Sequence, residues 1–595
     1  MEVTRIFDII PQLLQKYNKN DAVVAKEGGK WRAYSTQEFA DNVNNLSYGL
    51  YNLGIKPGDK ISIIANNRPE WNFIDYAIQQ TGAVSVPIYP TISETDLTFI
   101  LIDANVKYIF ISSIEIYKKL QAVIPQLTHL KGIYTFNLID NLLHWTDLVK
   151  EGKKNPVRNE IETIKKIIKP NDLLTILYTS GTTGSPKGVM LSHDNLLSNS
   201  LASQSLCPFK SNWKALSFLP LNHVYERMLT TLYLYLGISI YYAESIDTIG
   251  DNLKEVQPEI FSTVPRLMEK VYDKIVAKGS EQKGIKKTIF FWALDLGLRY
   301  ELNGVNGWWY ELKLKIARKL VFSKWKEALG GNIVAAVSGG AALQPRLARV
   351  FNAAGITVLE GYGLTETSPV IAVNNFLPNG ICFGTVGTVI DKVQVKIAED
   401  GEILVKGPNV MLGYYNRPDA TAEVIDKEGW FHTGDIGTFV DNRFLKITDR
   451  KKEIFKTSGG KYIAPVMIEN KLKESPFIEQ AMVIGENEKY ASALIVPSFS
   501  YLLEYCKIKN ILYTTNEDII KNELIKTRIN DEVNKINQAL AQYEKIKHIE
   551  LLAHEWSIDR NEMTPKLSLK RKIILANNRE LIEQIYRENQ EHVKE

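Results

Sequence analysis

The chain has 595 residues, 45% apolar and 24% charged, an ordinary globular balance and too long for one hydrophobic core. Its 72 Lys and Arg against 68 Asp and Glu leave a formal charge of +4, without the segregated basic bias of a nucleic-acid binder, so nucleic acid is set aside as a partner. Cys207, Cys382 and Cys506 are scattered and form no CxxC pair. They point to neither a disulfide framework nor a zinc site and suit a reducing, cytoplasmic compartment.

The first twenty residues, MEVTRIFDIIPQLLQKYNKN, are broken by Asp8 and Pro11 and make a poor signal peptide. Ala40 to Asn52 has helical spacing, Lys60 to Ala65 reads as a buried strand, Trp71 to Gly82 as a helix, and Ala83 to Tyr89 as extended. This alternation predicts an α/β fold with a largely parallel sheet. Leu229 to Ala243 is uncharged but falls short of the roughly 20 residues a spanning helix needs, so it reads as buried core.

Glu281 to Leu329 is a helical stretch rich in lysine and aromatics, among them Phe290, Phe291, Trp292, Trp308, Trp309 and Tyr310. The aromatics are expected in the core with the lysines on its solvated face; the alternative is a helix pair lying on a membrane. Asp400-Gly401 predicts a two-residue hairpin turn, and a second hairpin is expected at Asp441-Asn442. A β-rich subdomain over about 385–448 thus closes an N-terminal domain of residues 1–449. A charged, helix-rich C-terminal domain, 450–595, carries the short strands AMVIG and ALIVP.

The chemistry concentrates at Tyr178 to Gly188, YTSGTTGSPKG. Hydroxyl residues alternate with Gly181, Gly184 and Gly188, and Lys187 stands near the end. Glycines let backbone N–H groups approach an anion, hydroxyls add donors, and the lysine supplies a point charge for phosphate oxygens. The loop leaves the apolar run LLTILY, as phosphate loops leave strands. Ser185-Pro186 separates Gly184 from Lys187, which excludes the GxxxxGK[ST] spacing of a Walker loop.

TSGTTGSPKG resembles the phosphate-binding signature of the adenylate-forming superfamily: acyl-CoA synthetases, adenylation domains and luciferases. The resemblance continues in that family's order through LPLNHVYER (219–227), SGGAAL (338–343), EGYGLTETSP (360–369), GWFHTGDIG (429–437) and ITDRKKEIFKTSGGKYIAP (447–465). It covers about residues 30–575. RPEWNFIDYAIQQTGAVSVPIYPT (68–91) and the helical stretch before ALGGNIVAAVSGGAAL are similar to long-chain fatty acid–CoA ligases in particular.

The resemblance implies a large domain of layered sheets and helices and a smaller mobile α+β domain, reoriented between half-reactions about Asp449–Arg450. It implies that Thr179, Ser180, Gly181, Thr182, Thr183, Gly184 and Lys187 cradle the phosphates of ATP, with Thr179 and Glu366 holding Mg²⁺. Gly361, Tyr362 and Gly363 would face adenine, opposite Gly340 and Ala341 of the SGGAA turn, and Thr365 would be a further nucleotide-binding residue. Asp435 would accept from the ribose hydroxyls, with Arg450 and Lys452 beside the ribose or phosphate. His223 would position or gate the acyl and phosphate groups.

One departure concerns the C-terminal lysine. Long-chain members carry a pattern like TPTxKxKR, whereas this chain reads MTPKLSLKR over 563–571, with Ser568 at the aligned position. Residues 566, 568 and 570 would share a face of a strand, so Lys566 and Lys570 are both candidates. The implied reaction is adenylation of a fatty acid followed by transfer to coenzyme A. The alternatives are transfer to a carrier protein and an acyl or nucleotide binder without turnover. Peripheral contact with the inner face of the membrane and a homodimer are left open.

Overall fold

A computed structural model describes residues 2–179, 186–245, 247–557, 560–563 and 569–591. The chain divides into two compact units. The first comprises 1–396, 404–432 and 440–445; the second comprises 397–403, 433–439 and 446–595.

In the first unit one sheet runs Lys30–Tyr34, Val23–Glu27, Ser239–Tyr242, Lys214–Ser217, Ile260–Thr263, Ala335–Ser338 and Thr357–Gly363 in spatial order. From Val23–Glu27 onward all neighbours are parallel. The antiparallel strands Val370–Val373 and Thr388–Val389 extend it. A second sheet runs Gly413–Tyr414, Lys187–Ser192, Leu173–Thr179, Val84–Pro87, Lys60–Ile64, Val106–Ile111, Gly132–Thr135 and Leu143–His144. The expected α/β class is what is found.

Helices Thr36–Asn52, Pro69–Gln80 and Val224–Leu236 share one core with strands of both sheets. Pro69–Gln80 is buried along its whole length, so its polar residues need internal partners. Asp75 takes a two-pronged ion pair from Arg227, with Nη2 at 2.7 and 2.9 Å and Nε at 3.2 Å. Nη2 also donates to Ser85 Oγ at 3.1 Å. Leu229 to Ala243 is core, as expected: the end of one helix, then Gly237 at φ +70°, then the strand Ser239–Tyr242. No described helix is long and apolar enough to cross a membrane.

The aromatic stretch departs from expectation. Phe290 and Trp325 are buried, but Trp308 and Trp309 are 68% and 60% exposed, and Phe291 is exposed too. Helix Trp308–Ala317 turns Leu314 and Ala317 inward instead. Both apolar rows have helical spacing, so the period alone does not say which one faces the core.

The Asp441-Asn442 hairpin forms as expected. Both residues have positive φ, and Arg443 N–H donates to Val440 O at 3.0 Å, a two-residue type I′ turn. The Asp400-Gly401 turn is one residue longer than expected. Ala398 N–H donates to Glu402 O and Gly401 N–H to Ala398 O, both at 2.9 Å, with Gly401 at φ +84°. Glu399 joins the loop, giving a three-residue turn whose glycine occupies the left-handed position.

The second unit centres on Ile478–Ile484 paired antiparallel with Ser492–Pro497, which pairs parallel with His548–Leu551. Helices Pro465–Leu472, Phe499–Lys509 and Glu523–Asn537 contribute to its separate core. Buried Glu469 accepts from Val483 N–H at 2.7 Å and pairs with Arg571.

Candidate active site

The strands Leu173–Thr179 and Lys187–Ser192 are antiparallel neighbours, with Thr179 opposite Lys187. The two ends of the glycine-rich loop are therefore pinned side by side. Ser180, Gly181, Thr182, Thr183 and Gly184 lie outside the described residues. At the loop's start the Tyr178 hydroxyl donates to Asp103 Oδ2 at 2.6 Å, and Arg417 stands 3.4 Å from Asp103 Oδ1. Burial, then the Asp103 carboxylate, pushes the Tyr178 phenol well above its ordinary range.

Gly413–Tyr414 pairs antiparallel with Val189–Met190, and Tyr415 N–H donates to Gly188 O at 2.7 Å. This carries Tyr414 to the loop's exit, where its ring lies 5.0 Å from Lys187 Nζ. The Tyr414 hydroxyl donates to Glu366 Oε1 at 3.0 Å, and Met411 N–H donates to Glu366 O at 2.9 Å. Burial and the Glu366 carboxylate raise the Tyr414 phenol far above its usual value, so it stays a donor. Lys187 and Glu366, expected together, are thus bridged by a residue the motif reading did not select. Its signal in the sequence was the GYYN run (413–416), which shows its role only through strand pairing.

The turn bearing Glu366 is held by buried amides. Asn199 Nδ2 donates to Val370 O at 2.7 Å and Asn409 Nδ2 to Thr367 O at 3.1 Å. Thr365 is buried in the same turn. A Cβ on Gly363 would stand 1.7 Å from Pro369 O, so no other residue fits there.

Ser338 pairs in register with Glu360 on adjacent parallel strands. The Gly340–Ala341 turn, just past one strand, and Gly361–Gly363, the last residues of the next, therefore lie at neighbouring carboxyl ends, where open α/β sheets bind ligands. Gly340 (φ +84°) and Ala341 are exposed. Strand Lys214–Ser217 is parallel within the same sheet, and the loop after it bears His223. Asn222 fixes that loop, accepting from Trp71 Nε1 at 2.9 Å and donating to Ile88 O at 2.8 Å. His223 caps helix Val224–Leu236, its Nδ1 accepting from Tyr225 N–H at 3.0 Å. That bond assigns the ring proton to Nε2. The Tyr225 hydroxyl donates to Val337 O at 2.9 Å, and its ring faces Gly339.

Glu360, whose Oε1 accepts from Leu343 N–H at 2.9 Å, is pushed up by burial to about 8. The folded state keeps this proton where the unfolded chain, near the usual carboxylate value, has lost it, so stability falls as pH rises from about 4.5 to about 8. Glu360→Gln should remove that pH dependence. Its thermal midpoint is expected to match wild type near pH 5 and exceed it by a margin that grows up to about pH 8; a constant offset would contradict this.

In the second unit, buried Asp435 lies 3.4 Å from Arg450 Nε, bringing two of the expected nucleotide ligands together, while Lys452 is exposed nearby in sequence. Asp449 is buried, which raises its carboxyl to about 7. Lys566 and Ser568 lie outside the described residues. Lys570 is not on a strand: it precedes helix Arg571–Asn577 as its N-cap, and its Nζ donates to Asn561 Oδ1. The shared-strand-face expectation therefore does not hold at position 570.

Residues 12–415 match the AMP-binding enzyme family and residues 452–590 the AMP-binding enzyme C-terminal domain. The chain belongs to the AMP-binding enzyme family. It is 33% identical over 570 residues to long-chain-fatty-acid--CoA ligase FadD15 of Mycobacterium bovis, covering 94% of this chain and 93% of that protein. It is 31% identical to long-chain-fatty-acid--CoA ligase 1 of Cavia porcellus, covering 98% and 87%. In fold it matches the adenylation domain of a Mycobacterium chelonae carboxylate reductase, at a TM-score of 0.75, 20% identity and coverage of 98% and 91%.

Proposed function

We propose that this protein is a long-chain fatty acid–CoA ligase. The observation that carries the reading is the convergence of Lys187, Tyr414 and Glu366 at the ends of the glycine-rich loop, in a chain whose full-length relatives bear that name. ATP lies with its phosphates against the loop and its adenine between Gly361–Gly363 and Gly340–Ala341. The fatty acid carboxylate attacks the α-phosphorus, the bond to the bridging oxygen breaks, and pyrophosphate leaves. The coenzyme A thiolate then attacks the acyl carbon, and AMP leaves.

Attacking and leaving groups are both anionic, so the residues act by alignment and charge neutralisation. Lys187 offsets charge on the phosphates; Tyr414 orients Glu366. The Glu366 carboxylate and Thr179 hydroxyl are hard oxygen donors of the number Mg²⁺ takes from protein when phosphates supply the rest, and they would hold that ion. When bound it would neutralise phosphate charge. His223, with its proton on Nε2, positions the acyl end. Within the second unit, Asp435, 3.4 Å from Arg450 Nε, is the acceptor-only carboxylate suited to ribose hydroxyls.

Pyrophosphate release across a fatty acid panel, with and without coenzyme A, tests the reading. Release requiring a long-chain acid, with thioester formed when coenzyme A is present, is expected. No acid-dependent release would refute the ligase; release without thioester would indicate another acceptor. Lys566→Ala and Lys570→Ala, assayed singly for adenylation and for thioester formation from preformed acyl-adenylate, locate the lysine. One of them should lose about 10²–10³ in adenylation alone; wild-type adenylation in both would remove the lysine assignment.

A further inference from the structure

Trp308, Leu312, Ile316 and Leu320 follow one another at four-residue spacing, and all four are exposed, as is Trp309 beside the row. Residues four apart lie on one helix face. The opposite face is satisfied: Leu314, Ala317 and Val321 belong to the core, and Tyr310 Oη reaches back to Leu296 O. The outward row is thus an addition to the packing of the helix. The indoles of Trp308 and Trp309 stack at 4.2 Å between ring centroids, making a flat aromatic slab in solvent. Isolated exposed apolar residues are ordinary, but a contiguous stripe of this kind marks a contact surface.

Charge indicates the kind of contact. Exposed Lys315 and Lys319 flank the row on one side and exposed Lys313 on the other. Residues 281–328 hold ten Lys and Arg against five Asp and Glu, a net of +5 in a chain whose total is +4. Two of those acids are engaged by arginines, Asp295 by Arg299 and Glu301 by Arg349. Tryptophans, aliphatic side chains and flanking lysines together suit the boundary between acyl chains and anionic headgroups.

We propose that the outward face of Trp308–Leu320 docks on an anionic lipid bilayer. The row and the indole slab enter the interfacial layer while Lys313, Lys315 and Lys319 reach the headgroups. This goes beyond the ligase reading and does not depend on it, because vesicle binding is measured without ATP, fatty acid or coenzyme A.

The test is flotation of the full-length protein with phosphatidylcholine vesicles and with vesicles containing about 30 mol% phosphatidylglycerol. Wild type should bind the anionic vesicles at least tenfold more tightly, and added salt should weaken binding. Trp308→Ala/Trp309→Ala should weaken binding by at least about tenfold. Lys313→Gln/Lys315→Gln/Lys319→Gln should weaken it by about a hundredfold, at about fivefold per lysine. Because these side chains are exposed, both variants should keep the wild-type thermal midpoint, so the loss reads the surface and not the fold. The proposal is overturned if wild type binds neither vesicle, or if the variants bind as wild type does. A wild-type dimer that the tryptophan variant dissolves, without vesicle binding, would assign the face to a second copy and also overturn it.

Discussion

Glu366→Gln is expected to lower kcat/KM for fatty acid activation by about 10²–10³ while the thermal midpoint stays near wild type. A preorganised group at a site of developing or transferred charge is typically worth that much, and the glutamine keeps the shape of the side chain. The Tyr414 hydroxyl, 3.0 Å from Oε1, can still donate to the amide oxygen, so the loss reads the charge. Tyr414→Phe removes only the orienting bond and should cost about tenfold, the worth of one hydrogen bond to a charged group. Its apparent Mg²⁺ requirement should rise as well. Wild-type activity in Glu366→Gln would mean that the acid does not serve the reaction.

The second large effect is on stability. Arg227 belongs to the LPLNHVYER motif yet is buried against Asp75, one helical turn from His223, and its guanidinium stands 5.7 Å from the Trp71 ring centroid. Arg227→Met leaves Asp75 charged and buried, which should cost about 3–5 kcal/mol. Asp75→Leu/Arg227→Met removes both charges and should recover most of that loss, because a buried pair contributes little beyond an apolar replacement. Thermal unfolding of the three proteins tests this; a single variant as stable as wild type would contradict it. The double variant should retain activity if the helix behind His223 keeps its place.

What was legible in the sequence was local. The I′ turn at Asp441-Asn442, the strand feeding the glycine-rich loop and the buried run from Leu229 each announce themselves within a dozen residues. Glu366 and Lys187 were readable as motif residues. Tyr414 was not, because it reaches them through pairing of Gly413–Tyr414 with Val189–Met190, a contact across more than two hundred residues. The Trp308 row is illegible for a different reason: a helix with two apolar rows carries one period, and only the neighbours decide which row is buried. At Asp400-Gly401 the turn chemistry was right and the loop length was not, since a glycine at φ +84° also closes a three-residue turn. At Lys570 the alternating pattern suggests a strand face, but the residue caps the helix beginning at Arg571.

The central claim is that a fatty acid carboxylate oxygen bonds to the α-phosphorus of ATP. Fatty acid labelled with ¹⁸O in both carboxylate oxygens, turned over with ATP and coenzyme A, tests it directly by mass spectrometry of the products. One ¹⁸O in AMP, one ¹⁸O in the acyl-CoA and unlabelled pyrophosphate are expected. Formation of ADP with ¹⁸O in inorganic phosphate would contradict it, because it would place the attack on the γ-phosphorus.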